Sequence, residues 1–508
     1  MSGSIPTKVE ELITLTSQDI CDACAGELLS GSAAALVADI STDTRAGLGG
    51  KLFVALRGEN FDGGEFVEEA LAAGAMGVVA ARDAAERAAA SSPGHNEGRG
   101  NGGSATRDQV IIAVDDAGEA LKNIASLVAA RSGATVVAIT GSTGKTSTKD
   151  MLSGLLGPKL NFVASRASFN NEVGVPLTLL DAGEDTEVIV VEMGMQAPGE
   201  IRELCRIAAP DIAVITNIGP AHLQYAGSLE SIARGKAEIA AGLAPGGRLV
   251  APYGDDLLES HLAGLDLPTI TFGFDRLADI HPVYHEHTED GRLHALISCC
   301  GREIELTFNF APHHHLLNAM AAIGAYYLLG LPLEKIPEAV KNIHLGSLRG
   351  EFVNLADGVI LLNDCYNANP LSMRSSLEYL ASVGTGRRTV AILGDMGELG
   401  GDASRYHREV GRLVAELGID CLVAVGDLAA GYLDGAREEG ACGSCCYHFA
   451  DRAAALAEVQ DLIEPGDVIL LKASRFMKLE EIGALLMALA DAGTAPESEN
   501  SAGRKPER

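Results

Sequence analysis

Apolar runs that end in small or polar residues recur along the chain from residue 134 onward. These runs are TVVAIT, VIVVEM, IAVITNI and GRLVAP, and segments with helical spacing separate them. Nearly continuous apolar strands that alternate with helices are typical of a parallel sheet covered on both faces. The pattern predicts a central α/β domain with a mostly parallel sheet, which we place at residues 133–345.

A second, smaller set of apolar runs comes earlier in the chain. KLFVALRG, GVVAA and VIIAV are β-type runs, and GEFVEEALAAGA has helical spacing. They predict a small N-terminal α/β domain at residues 1–132. Its segment 82–109 contains the polar stretch ASSPGHNEGRGNGGSATRDQ, which is rich in Gly, Ser and Asn. This composition predicts a flexible insertion at 82–109.

A third set of strands follows the central domain. They occur in GVILLNDCYNANP, TVAILGDMGELG, CLVAVGD and DVILLKASR, and each ends in a polar turn of the kind where ligands gather in open sheets. The set predicts a C-terminal Rossmann-like domain at residues 346–492. The remaining residues, 493–508, are polar and predict a disordered tail. The expected fold class is therefore α/β with three domains.

Charge and hydropathy narrow the classes of partner. The chain of 508 residues carries a formal net charge of −30, which argues against nucleic acid or an anionic membrane, because phosphate backbones are bound by basic surfaces. No apolar run approaches the roughly 18 residues that span a bilayer. The first residues show no basic leader followed by an apolar core. We therefore expect a cytoplasmic protein without membrane insertion.

A glycine-bracketed turn follows the first strand of the central domain and opens a helix. Its residues are Gly141, Ser142, Thr143, Gly144, Lys145 and Thr146. In this context backbone N–H groups face phosphates, the helix N-terminus adds positive potential, and a lysine neutralises the outer phosphates. The common motif has glycine six residues before its lysine, where this chain has Ile139. The turn predicts nucleotide binding and leaves hydrolysis, phosphoryl transfer, signalling and activation of an acid all open.

The short form G-x-x-G-K-T occurs together with TDTR, LFVALRGENFDG, FNNEVGVP, DCYNANPLSM and GDMGELG. In this combination and order the chain resembles the bacterial muramyl-peptide ligases, the Mur ligase family, from Ser41 to about Ile482. The resemblance implies a UDP-sugar-binding N-terminal domain, a central ATPase domain and a Rossmann-like C-terminal domain. DCYNANPLSM and GDMGELG are the most discriminating motifs.

The resemblance also implies a reaction. ATP, with Mg²⁺, phosphorylates the terminal carboxylate of a UDP-N-acetylmuramoyl-tripeptide, and the amine of D-alanyl-D-alanine displaces the phosphate from the acyl phosphate. A carboxylate is a poor electrophile until its oxygen becomes a phosphate leaving group. Both partners of the first step are anions, so cations must screen them. The implied working unit is a monomer.

Catalytic and metal-binding roles follow only from the resemblance. It assigns catalysis to Lys145, Glu192, His222 and Lys236. It assigns metal ligation to Thr146, Glu192, His222 and Lys236, with His222 and Lys236 at a second metal. In the family a lysine in this setting can be carbamylated by CO₂, which converts a cation into a carboxylate-like ligand. Arg234 lies close by, but K-x-E-I matches the family pattern from Lys236.

Ligand-binding roles are implied in the same way. ATP contacts fall on the turn residues 141–146 and on Asn318, Arg349 and Asp364. Substrate contacts fall on Thr42, Asp43, Thr44 and Arg45 for the uridine nucleotide, and on Asn170, Asn171, Asn367 and Arg475. Arg475 is a candidate for the carboxylate of the incoming dipeptide.

Two alternative functions remain open from the sequence. One is a sibling ligase that adds a diamino acid to the dipeptide precursor, or a folate polyglutamylating enzyme. The other is a non-catalytic nucleotide sensor that keeps the fold. A sensor needs nucleotide affinity but no second-metal residues, so the presence of Glu192, His222 and Lys236 favours an enzyme.

Overall fold

The computed structural model describes residues 11–58, 61–91, 109–157, 160–166, 168–288, 292–310, 312–440 and 445–493. Within these residues, a five-stranded, a nine-stranded and a six-stranded sheet follow one another along the chain. Each sheet is mostly parallel and carries helices against it. The predicted α/β class with three domains is confirmed.

The first sheet belongs to the N-terminal part of the chain, and its strand order is β2-β9-β8-β5-β4. Its β2 runs antiparallel to β9, and the other pairs are parallel. The strands of this part of the chain are β1 (Leu15–Thr16), β2 (Glu27–Ser30), β3 (Leu36–Val37), β4 (Ile40–Ser41), β5 (Leu52–Val54), β6 (Arg57–Gly58), β7 (Phe61–Asp62), β8 (Gly77–Ala81) and β9 (Val110–Val114). Of these, β1 pairs with β3 and β6 pairs with β7 in two separate two-stranded sheets. The helices are α1 (Ser17–Cys24), α2 (Val67–Ala72), α3 (Arg82–Ser91) and α4 (Ala117–Ser132).

Helix α3 corrects one prediction. The segment 82–109 was expected to be a flexible insertion, but Arg82–Ser91 forms a helix that packs on β8 and β9. Alanine has the highest helix propensity, and Ala84, Ala85 and Ala88 lie on one buried face. Because small alanines bury little area, this amphipathic face was a weak signal in the sequence. Residues 92–108 of the predicted insertion lie outside the described residues.

The second sheet forms the centre of the molecule, with the strand order β11-β12-β10-β13-β14-β15-β16-β17-β18. Pairing is parallel from β11 to β16 and antiparallel from β16 to β18. The strands are β10 (Thr135–Thr140), β11 (Phe162–Ala164), β12 (Val188–Glu192), β13 (Ile212–Ile215), β14 (Arg248–Pro252), β15 (Thr269–Phe272), β16 (Ile280–His287), β17 (Leu293–Cys299) and β18 (Arg302–Phe308). The helices are α5 (Lys145–Leu156), α6 (Gly174–Leu180), α7 (Glu200–Ala208), α8 (Leu223–Ala226), α9 (Leu229–Ala241), α10 (Asp256–Leu262), α11 (His313–Leu328) and α12 (Ile336–Ala339).

The third sheet has the strand order β19-β20-β24-β21-β22-β23, in which only the edge pair β19–β20 is antiparallel. The strands are β19 (Glu351–Asn354), β20 (Ile360–Asn363), β21 (Thr389–Gly394), β22 (Cys421–Val425), β23 (Cys446–Phe449) and β24 (Val468–Lys472). The helices are α13 (Pro370–Val383), α14 (Ala403–Glu416), α15 (Ala430–Glu438), α16 (Arg452–Glu458) and α17 (Glu480–Gly493). Since α17 includes Gly493, the predicted tail cannot begin there, and residues 494–508 lie outside the described residues.

Buried contacts join the three units. One apolar cluster combines α4 of the first unit with α6 and α7 of the second, and Ser126 Oγ donates a hydrogen bond to the Ile207 carbonyl at 2.7 Å. A second cluster combines Leu223 and Ile232 of the central unit with the α13 and α14 side of the third sheet. In the described parts of the chain, no helix combines the length and apolar character that a membrane crossing requires.

Candidate active site

The glycine-bracketed turn lies between the carboxyl end of β10 and the first turn of α5, as predicted. Gly141 and Gly144 have φ values of 149° and 78°, which L side chains rarely adopt. A Cβ atom at Gly141 would collide with Thr216, and one at Gly144 would collide with the side chain of Asn318. Both glycines are therefore required by backbone conformation and by close neighbours.

The end of β13 holds the turn in place. The Thr143 N–H donates to Asn217 Oδ1 at 2.9 Å, and Asn217 Nδ2 donates to Thr143 Oγ1 at 2.9 Å. Thr216 Oγ1 donates to the Thr143 carbonyl at 2.5 Å. Our sequence interpretation missed Thr216 and Asn217. The signal was present, because they end the apolar run IAVITNI, and carboxyl ends of parallel strands meet at one sheet edge.

Lys145, Thr146 and Glu192 meet at this edge. Thr146 Oγ1 donates to Glu192 Oε2 at 2.7 Å, and Asn170 Nδ2 donates to Glu192 Oε1 at 2.8 Å. Lys145 Nζ donates to the Gly141 carbonyl at 2.8 Å. Burial lowers the pKa of the Lys145 ammonium; Glu192 opposes this shift and the Arg349 guanidinium adds to it.

The donor set at Thr146 and Glu192 fits Mg²⁺. A hydroxyl and a carboxylate oxygen are hard ligands, and Mg²⁺ is commonly held by one or two protein oxygens together with phosphates and water. Among the residues described, no group of three or more His, Cys, Asp and Glu side chains forms a complete metal site. The protein thus offers a partial coordination shell that phosphate oxygens would complete.

His222 and Lys236 lie close enough to Lys145 for their charges to interact. Burial lowers the pKa of His222, and Lys145 lowers it further. Lys236 is 1% exposed, and burial followed by the charge of Lys145 holds its pKa well below the ordinary lysine value. Its neighbour Arg234 is exposed. Of these two side chains, Lys236 is therefore the one buried close to Lys145.

Arg349 connects the turn to the third unit. Its Nη2 donates to Thr146 Oγ1 at 3.2 Å, and its guanidinium lies 3.7 Å from the ring centroid of Tyr366. The Tyr366 hydroxyl in turn donates to Ser168 Oγ at 2.8 Å. Upstream of Arg349, the Gly346 N–H donates to Asp150 Oδ2 on α5 at 3.1 Å. Of these partners, neither Ser168 nor Asp150 was predicted.

The strand ends of the third sheet hold the other predicted residues. Lys472 Nζ lies 2.5 Å from Asp364 Oδ2 and donates to the Asn367 carbonyl at 3.2 Å. Ser376 Oγ also donates to Asp364, at 2.7 Å. Arg475 pairs with Glu480 at 2.6 Å and is more than half exposed. Asp364 and Asn367 are thus fixed by Lys472, whereas Arg475 can reach solvent.

The predicted uridine loop and Asn171 make only local contacts in the structure. Arg45 forms two hydrogen bonds to the Asp43 carboxylate, at 2.9 and 2.8 Å, which lower the pKa of Asp43 to about 2. Thr42 precedes Asp43, and Thr44 lies between the two paired residues and begins a single helical turn. Asn171 Oδ1 accepts from the Gly174 N–H at 2.9 Å, at the beginning of α6. None of these contacts reaches the phosphate turn.

Comparison with known proteins identifies the family. Residues 37–128 match a model described as Mur ligase family, catalytic domain; residues 139–326 match the Mur ligase middle domain; and residues 348–475 match the Mur ligase, glutamate ligase domain. A UDP-N-acetylmuramoyl-tripeptide–D-alanyl-D-alanine ligase from Bacillus subtilis (strain 168) is 37% identical over 454 residues, covering 87% of this chain and 92% of the relative. The chain belongs to the Mur ligase family.

Other Mur ligases are similar over almost the whole chain. The ligase of the same name from Escherichia coli (strain K12) is 30% identical, covering 95% of this chain and 100% of the relative. A crystal structure of MurF from Acinetobacter baumannii superposes with a TM-score of 0.81 at 29% identity, covering 94% and 100% of the two chains. MurF from Thermotoga maritima in complex with ADP gives 0.74 at 25% identity, covering 90% and 98%. The resemblance inferred from the motifs is confirmed.

Proposed function

We propose that this Mur ligase uses ATP to join D-alanyl-D-alanine to a UDP-N-acetylmuramoyl-tripeptide through an acyl phosphate. The observation that carries the proposal is the meeting of Lys145, Thr146 and Glu192 at the phosphate turn of a chain 37% identical to a ligase of that name. The product would be a peptidoglycan precursor, made by a monomer in the cytoplasm, where ATP is available.

Each domain has a proposed ligand. The N-terminal domain, residues 1–132, takes the UDP-sugar through Thr42, Asp43, Thr44 and Arg45. The central domain, residues 133–345, takes ATP on the turn 141–146 and against Asn318. The C-terminal domain, residues 346–492, completes the nucleotide site with Arg349 and Asp364 and receives the dipeptide near Asn367 and Arg475.

Charge screening is the central task of the site. Lys145 would exchange its hydrogen bond to the Gly141 carbonyl for a phosphate oxygen, and Arg349 would add a second cation from the linker between the central and C-terminal domains, residues 344–350. Asn170 holds Glu192 in place with a hydrogen bond of 2.8 Å and, with Asn171, borders the substrate carboxylate. Mg²⁺, when bound by Thr146 and Glu192, screens the phosphate charge and polarises the transferred phosphoryl group.

Lys236 is proposed to be carbamylated. A lysine must be neutral to attack CO₂, and the burial of Lys236 beside Lys145 favours the neutral form. The amine adds to the carbon of CO₂ and loses a proton, so that a cation becomes a carbamate anion. Together with His222, this anion would form a second metal site. Native mass spectrometry should detect one added CO₂, and Lys236→Arg should abolish it.

Product formation by purified protein tests the whole proposal. The protein is given ATP, Mg²⁺, UDP-N-acetylmuramoyl-tripeptide and D-alanyl-D-alanine, and the lengthened peptide is measured by mass spectrometry. Parallel reactions replace the dipeptide by a diamino acid with the shorter precursor, or both substrates by folate and glutamate. We expect product only with the dipeptide. ADP without a lengthened peptide, or product only in a parallel reaction, would overturn the proposal.

A further inference from the structure

One carboxylate near the phosphate turn has no role in the proposed mechanism. The cationic side chains there are Lys145 and Arg349. Glu192 is 1% exposed, and both its oxygens accept hydrogen bonds from its own domain. Glu398, in the motif GDMGELG, comes from the third unit instead and keeps 42% of its side chain exposed.

Glu398 faces the site across the domain interface. Its Oε2 lies 2.6 Å from Nδ1 of His222, close enough for an ion pair with a protonated imidazole. The Gln224 N–H donates to the Glu398 carbonyl at 3.0 Å, and Gly400 packs against Gln224. The turn of GDMGELG is thus docked beside the central domain's site residues.

Both facing residues adopt unusual backbone conformations. His222 has φ = 57° and Glu398 has φ = 61°, in the left-handed region that residues other than glycine seldom occupy. Such conformations persist where the surroundings hold them, and they cluster at functional sites. Because these conformations occur on both sides of one contact, we infer that the contact requires each side chain to point in a particular direction.

The other acidic groups at the strand ends of the third sheet are already engaged. Asp364 accepts from Lys472 and Ser376. Asp395 is buried and accepts from the Ala429 N–H at 2.7 Å. Of these three acidic side chains, Glu398 alone keeps an exposed carboxylate beside His222.

The proposed reaction, on which this inference rests, needs such a group. The attacking dipeptide arrives as an ammonium ion and must approach an acyl carbon beside Lys145 and Arg349, whose positive charges repel it. A carboxylate where the dipeptide enters the site attracts the ammonium group, which offsets this repulsion, and it orients the nitrogen. We propose that Glu398 binds the α-ammonium group of the acceptor dipeptide beside the acyl phosphate.

The neighbouring turn fits the other end of the dipeptide. The Gly397 N–H donates to Ser474 Oγ at 2.8 Å, which places Glu398 next to the turn that carries Arg475. An anion-binding arginine and an ammonium-binding glutamate therefore lie on adjacent turns of one domain. This arrangement matches a small zwitterion with charges at its two ends.

Separate measurement of the two half-reactions tests the inference in the full-length enzyme. Glu398→Gln keeps the shape of the side chain and removes its charge, and Glu398→Ala removes the group. Acyl phosphate formation is followed by trapping with hydroxylamine, which is uncharged at neutral pH and needs no carboxylate. Amide formation is followed with D-alanyl-D-alanine. Asp402→Asn is the matched control, because Asp402 is an exposed acid four residues away that pairs with Arg405.

We expect both Glu398 variants to raise the KM for the dipeptide about tenfold or more, the usual loss for a hydrogen bond to a charged group. Hydroxylamine trapping and the KM for ATP should stay within about twofold of the wild type, and Asp402→Asn should change neither half-reaction. Equal losses in both half-reactions would show that Glu398 only docks the domains and would overturn the inference, as would an unchanged dipeptide KM. If the wild type itself trapped acyl phosphate but never formed the amide, the proposed function would fail first.

Discussion

The link from Arg349 through Tyr366 to Ser168 allows a graded test of how the third domain completes the nucleotide site. Tyr366→Phe removes the hydroxyl that donates to Ser168 at 2.8 Å and keeps the ring 3.7 Å from the guanidinium. Tyr366→Leu removes both contacts. Ser168→Ala removes only the partner of the hydroxyl, so the hydrogen bond can be isolated by a double-mutant cycle.

The expected magnitudes follow from the two contacts. A solvent-exposed hydrogen bond between neutral groups contributes about 0.5–1 kcal/mol, or about two- to fivefold in affinity. The cation–π contact adds about 0.5–1 kcal/mol at such a site. Tyr366→Phe and Ser168→Ala should therefore each weaken ATP-analogue binding about two- to fivefold, and their combination should be no worse than either alone. Tyr366→Leu should cost about five- to thirtyfold.

Isothermal titration with a non-hydrolysable ATP analogue measures these effects directly. Urea unfolding of each variant serves as the control for general stability. Two outcomes would refute the reasoning. If Tyr366→Phe and Ser168→Ala were fully additive, the hydroxyls would not interact in solution, and if Tyr366→Leu bound as well as Tyr366→Phe, the ring would not hold Arg349.

Three further results are expected. Lys145→Ala and Glu192→Gln should each lower ATP turnover about 100-fold or more, because Lys145 would neutralise the phosphate charge and Glu192 would hold Mg²⁺. Glu192→Gln should also raise the Mg²⁺ concentration needed for half-maximal initial rates; wild-type rates would contradict this. Burial holds the pKa of His315 well below the ordinary histidine value of about 6.5, so the unfolded chain binds more protons, and the free energy of unfolding should fall as the pH drops below about 6.5. Urea unfolding at about pH 7.5 and about pH 5.5 should show a smaller drop in this free energy for His315→Gln than for the wild type. Leu152→Ala, at a site with 0% exposure, should cost about 2–5 kcal/mol in unfolding free energy, whereas the matched Leu265→Ala, at 39% exposure, should cost less than about 0.5 kcal/mol.

The periodic parts of the fold were accessible from the sequence, because continuous apolar strands and polar strand ends depend on local spacing. The shared role of Thr146 and Glu192 was implied by the family resemblance, and the structure brings the two together at one sheet edge, because β10 and β12 are neighbours. Reasoning from local spacing failed for α3, where alanines supply helix propensity without a strong apolar signal. Patterns that rely on large side chains overlook such helices.

Contacts between domains were not accessible in this way. Tyr366 and Ser168 are 198 residues apart, and no local pattern relates them. Lys472 would look like an ordinary strand-end cation, but it is 2% exposed and carries an ion pair with Asp364. The contact partner of such a residue depends on how whole sheets and domains pack together. Residues near it in the sequence do not show this packing.

The hydrogen bond between Gly346 and Asp150 has a consequence for the length of the linker. It anchors Gly346, the first residue of a four-residue segment, to α5. Arg349, the last residue of that segment, reaches Thr146 on the same helix. One inserted residue would add up to about 3.5 Å of chain, more than the tolerance of a hydrogen bond. A single extra peptide unit in this segment would therefore take the Arg349 guanidinium out of reach of Thr146.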